Sequence, residues 1–85
     1  MNTAKSRRTA TTTAAREWMK TEPGNDEADI ALEAVLVATG TVKRGEAIEE
    51  IWSDAPETLM LSLTDGIIIE IDVESGNSMR GTSDE

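Results

Sequence analysis

The chain contains no cysteine, no histidine, no phenylalanine and no tyrosine, and only two tryptophans and two prolines in 85 residues. Without cysteine there is no disulfide framework, no thiolate nucleophile and no thiolate zinc site. Without histidine there is no imidazole ligand and no side chain whose ordinary pKa lies near neutrality. A serine or cysteine nucleophile relayed through histidine is therefore excluded. Carboxylates, lysines and hydroxyls remain, but a carboxylate general acid needs a pKa raised by burial, and a chain this short has little interior for one. The expectation is a protein that is not an enzyme and carries no cofactor. Long apolar runs are missing too: residues 1–29 hold no Leu, Ile, Val or Phe, and the stretch from Ile30 to Ala38 is interrupted by Glu33. Neither a secretory signal nor a membrane span fits that pattern, so the reading is a soluble, cytoplasmic chain with no membrane partner.

The residues that are present divide unevenly. Sixteen of 85 positions are Leu, Ile or Val, a fraction near the disorder boundary, yet all sixteen fall between Ile30 and Val73. Charge divides similarly. Residues 1–20 carry Lys5, Arg7, Arg8, Arg16 and Lys20 against Glu17, a net of +4, and residues 21–85 carry a net of -13, giving -9 for the whole. The sequence thus reads as a basic arm over 1–24, an acidic α+β domain over 25–75 and a disordered tail over 76–85. Thr and Ala dominate the arm and offer little to offset the entropy of ordering, so mobility is expected there. Within it Ala14, Ala15, Trp18 and Met19 stand at helical spacing, which predicts a short helix over 13–20 ended by Glu22-Pro23-Gly24-Asn25. Trp18 and Met19 are expected to pack back on their own domain; an anchor for a partner is the alternative.

Asn25 suits an N-cap, Asp26, Glu27 and Asp29 place negative charge on a first helical turn, and Gly40 suits a stop, so a helix is predicted over about 26–39. Two strands follow from period-two alternation: Leu59, Leu61 and Leu63, then Ile67, Ile69, Ile71 and Val73, over about 57–63 and 67–74. A two-residue loop at Asp65-Gly66 would mix leucines with acids on one face. A three-residue loop, Thr64-Asp65-Gly66, pairs Leu61 with Ile69 and Leu59 with Ile71, so six large apolar side chains share a face. Residues 47–53 read as a third strand with a bulge before Asp54-Ala55-Pro56, with a short helix as the alternative. The predicted architecture is therefore one helix on an antiparallel hairpin or three-stranded meander. A core confined to 49 residues is small, which favours a homo-oligomer or a bound partner.

Several strings resemble chemical motifs without the frame that chemistry needs. Asp26-Glu27-Ala28-Asp29 spells a helicase tetrapeptide, which works only beside a phosphate-binding loop. The nearest such string, Gly40-Thr41-Val42-Lys43-Arg44-Gly45-Glu46, has Glu46 where the phosphate-binding lysine belongs. Asp72 to Asn77 loosely resembles a calcium loop and reads instead as a strand exit.

The candidate binding residues lie on the polar face of the hairpin. Glu70, Asp72 and Glu74 form an acidic row spaced about 6.8 Å apart, and Met60 and Ile68 are apolar exceptions on the same face, with Trp52 placed to cover them. Together with Trp18 these residues suggest a protein-binding module with a basic partner. A specific version is an inhibitor of the phage or mobile-element kind that imitates nucleic-acid charge. The alternative is a nucleic-acid-associated regulator contacting phosphates through Lys5, Arg7, Arg8 and Arg16.

Overall fold

The computed structural model describes residues 4–22 and 24–82. Two helices, α1 (Ala4–Met19) and α2 (Asp26–Thr39), precede four strands, β1 (Ile48–Ala55), β2 (Thr58–Leu63), β3 (Ile67–Asp72) and β4 (Ser78–Thr82). The strands form one antiparallel sheet in the order β1-β2-β3-β4, and the helices pack on one of its faces. The class is α+β, as the sequence implies, with one helix and one strand more than its pattern announces.

The elements with strong local signals form as expected. In α2, the Asn25 side chain accepts from the Ala28 N–H at 3.1 Å, three acids occupy the first turn, and Gly40 closes the helix in the left-handed conformation at φ 85°. The central hairpin takes the three-residue loop: Leu61 pairs with Ile69 and Leu59 with Ile71, and the Gly66 N–H donates to the Leu63 carbonyl at φ 90°. That register sends Leu59, Leu61, Leu63, Ile69 and Ile71 to one face, where all are buried against Leu32, Leu36, Val42 and Ala15. Residues 48–55 are a strand, with register shifts between Ile48 and Glu50 and between Ser53 and Ala55. The bulges keep Ile48 and Ile51 on the core side.

Two expectations are corrected. Residues 4–19 form a four-turn helix where a mobile arm with a short helix over 13–20 is anticipated. Its burial uses small side chains instead of large ones. Thr11 is 2% exposed and Ala15 fully buried, and Ala14, Trp18 and Met19 pack beside them, one stripe at helical spacing. Threonine buries here because its Oγ1 donates back to the Arg7 carbonyl at 3.0 Å, satisfying the hydroxyl inside the helix. The sequence pattern marks this stripe from Ala14 to Met19; what it lacks is a signal for Thr11 and the turns before it, which carry no large apolar residue.

The second correction concerns residues 76–82, anticipated as part of a disordered tail. Ser78–Thr82 add a fourth strand to β3, with Ile71 opposite Ser78 and Ile69 opposite Arg80. None of its side chains is buried, so backbone pairing and a side-chain clamp hold it. Arg80 donates to the Thr41 carbonyl at 3.2 Å and forms an ion pair with Glu46, whose other oxygen accepts the Lys43 N–H at 2.8 Å. Glu46, at the position where a phosphate-binding loop needs a lysine, is thus engaged in fastening β4. With α1 and β4 included, the folded unit extends well beyond the 49 residues on which the expectation of an oligomer was based.

Candidate functional site: the open sheet face

Because both helices cover one face of the sheet, no described element forms a layer over the other face. Register fixes who stands there. Trp52 is opposite Met60, Met60 opposite Glu70 and Glu70 opposite Met79, so one row crosses all four strands. The adjoining row runs Glu50, Ser62, Ile68 and Gly81, and the next brings Thr58 opposite Asp72. The apolar members are Trp52, Met60 and Ile68, each half-buried, and Met79, which is 70% exposed. Glu50, Glu70 and Asp72 are exposed among them. Among the described residues no lysine or arginine pairs with any of these three carboxylates; the ion pairs are Glu17 with Lys20 and Glu46 with Arg80.

The sequence-derived site residues separate into groups. Met60, Ile68, Glu70, Asp72 and Trp52 share the open face, and Trp52 stands directly opposite Met60. Glu74 does not join them. β3 ends at Asp72, and Glu74 lies in the turn that follows, so the acidic row of three is shortened to two. The cause is local: the Asp72 carboxylate accepts the N–H groups of Glu74 at 2.9 Å and Ser75 at 3.3 Å, folding the chain back toward β4. Those two N–H donors hold the Asp72 carboxyl below the ordinary aspartate value. Met79 and Glu50 are the members that the sequence pattern does not single out: β4 has no apolar alternation to place Met79 on a strand, and the bulges of β1 obscure which face Glu50 takes.

Trp18 is on the helical side. Its Nε1–H donates to the Asp29 carboxylate at 2.7 Å, and the indole packs half-buried against the core cluster. Asp29, the last acid of the helicase-like tetrapeptide, thereby ties α1 to α2. Arg7, Arg8 and Arg16 are exposed on α1, and Lys5 belongs to its first turn with its side chain outside the described residues.

Glu46, like Asp72, is held below its ordinary pKa, first by the Lys43 N–H and then by Arg80. Both shifts run opposite to the direction a carboxylate general acid needs. Among the described residues no helix is long and apolar enough to cross a membrane, and no group of three acids is gathered in metal-binding geometry.

Fold and site together define a class: a two-helix, four-stranded meander that leaves one mixed apolar and acidic sheet face uncovered. Comparison with protein families, with curated proteins and with solved structures gives no match for this chain.

Proposed function

We propose that this chain is a small acidic, non-enzymatic binding module that presents the open face of its sheet to a protein with a basic surface. The observation that carries the reading is the row Trp52–Met60–Glu70–Met79, which crosses the whole sheet and whose one acid, Glu70, has no ion-pair partner among the described residues. Apolar side chains supply the area a partner would bury, and the acids Glu50, Glu70 and Asp72 select the sign of that partner's charge. A second copy is the poorer occupant, because a face-to-face pair opposes these acids to one another. Inhibition by imitation of nucleic-acid charge is the specific form of this reading, since acids at fixed positions on a sheet compete for a groove built to hold phosphates.

The test is retention of a basic protein from the native host on immobilised wild-type protein and on a Met79→Lys, Glu70→Lys variant. Retention at about 50 mM salt that is lost at about 500 mM, and lost in the variant at either concentration, is the expected result. Equal retention by wild type and variant overturns the reading. A nucleic-acid gel shift that depends on Arg7, Arg8 and Arg16 would favour the regulator alternative instead.

A further inference from the structure

The chain has two aromatic residues in all, Trp18 and Trp52, separated by 34 positions and carried by a helix and an edge strand. The fold brings both to the wall of one cleft of about 600 Å³, where the end of α1 and the start of α2 meet β1. Met19, Ile51 and Pro56 add apolar wall, and Asp29 adds a carboxylate. The Trp18 N–H is already bonded to one Asp29 oxygen, so what this indole can offer a ligand is its ring. Among the described residues no lysine or arginine pairs with Asp29, and Trp52 Nε1 makes no hydrogen bond. Among the described residues no cationic side chain lines the cleft.

Two indoles, a carboxylate and apolar walls match one kind of guest. An aromatic face attracts a cation through its quadrupole, the carboxylate adds full charge, and the apolar wall suits a methylene stem. We propose that the cleft receives an arginine side chain presented by the partner protein. A planar guanidinium can stack on an indole while still donating hydrogen bonds to the carboxylate in its own plane, which a lysine ammonium does less well. The inference deepens the binding-module reading, on whose basic partner it rests, and it places the specific anchor at the β1 edge of the sheet, where Trp52 belongs both to the open face and to the cleft.

Both tryptophans line the cleft and the chain has no tyrosine. Trp18 also borders the groove between α1 and α2, so the signature of a ligand in this site is a shift of the Trp52 indole N–H resonance together with that of Trp18. The probes are a blocked Ala-Arg-Ala peptide and its citrulline counterpart, which keeps the shape and loses the charge. The arginine peptide should move both indole resonances saturably, with the citrulline peptide about tenfold weaker, as expected when a charge-dependent contact is removed. Asp29→Asn, which keeps an oxygen for the Trp18 N–H, should weaken arginine binding about fivefold and leave citrulline binding unchanged. Met79→Lys should leave arginine binding as it is. Equal binding of the two peptides, or no saturable shift at about 20 mM peptide, overturns the inference. Arginine binding without face-dependent retention of a partner means the module reading fails and the cleft stands; the converse pair of results means the cleft fails and the module reading stands.

Discussion

Gly76 carries more of the tertiary structure than its size suggests. It is buried in the turn between β3 and β4 with φ at 80°, and a Cβ built there would stand 2.4 Å from the Arg8 carbonyl oxygen and 2.9 Å from the Arg8 Cα. The obstruction is helix backbone, which has no rotamer to yield. Gly45 has a similar backbone, φ 93°, with open space around it. The pair separates two costs that usually occur together. Gly45→Ala should lose only the left-handed penalty, about 1 kcal/mol. Gly76→Ala should lose that and also push α1 off the turn, a destabilisation of about 3 kcal/mol or more. Chemical denaturation of the two variants measures the difference. Equal midpoints would mean that α1 does not seat on the turn as described. A glycine beside Ser75 and Asn77 reads in the sequence as an ordinary turn, so its contact with a helix nearly seventy positions away was not legible there.

At the scale of elements, β4 depends on a few side chains. Its middle is held by the Arg80–Glu46 pair and its entry by the Asp72 carboxylate in the preceding turn. Both acids have folded pKa values below their ordinary ones, so each contributes stability that is present at neutral pH and lost as pH falls through its folded value. Acidification below about pH 4 should therefore release β4 before it loosens the β2–β3 hairpin, whose hold is apolar burial. Arg80→Met should produce the same selective release at neutral pH. Hydrogen exchange of the β4 amides against those of β2 and β3 decides it: faster exchange across the whole sheet, or no change in β4, would refute the clamp. The same dependence explains what the sequence disclosed. Elements that bury branched aliphatics in regular alternation announce themselves by period, which is why α2 and the register of the central hairpin were legible. The two bulges of β1 break its alternation and leave a short helix as the alternative there. The first half of α1 is buried only through Thr11, and β4 buries none of its side chains, so neither has a periodic signature of large apolar residues. Most of the candidate site was legible for the same reason: Met60 and Ile68 stood out as apolar exceptions in a known strand, whereas Met79 had no strand to stand out from.

For the whole molecule the question is what covers the open sheet. A face with Trp52, Met60, Ile68 and Met79 would ordinarily invite a second copy, and a two-fold dimer would bury the same patch on both chains. Charge opposes it. The chain carries a net -9, and a two-fold pairing through this face sets Glu50, Glu70 and Asp72 of each copy, which have no cationic partner among the described residues, against the same acids of the other. A few apolar side chains supply about 1.5–3 kcal/mol each if fully buried, part of which is already realised where they are half-buried, while association costs at least about 4 kcal/mol in lost freedom. Like-charge repulsion then tips the balance toward the monomer. Sedimentation at about 0.15 M salt should give the 9.2 kDa monomer. At about 1 M salt the repulsion is screened to about 3 Å and weak self-association should emerge, while Met79→Lys should abolish it. A dimer that is firm at low salt and dissociates as salt is added would reverse the argument, because it would mean that pairing between opposite charges, such as the basic α1 of one copy against the acidic face of the next, outweighs repulsion between the faces.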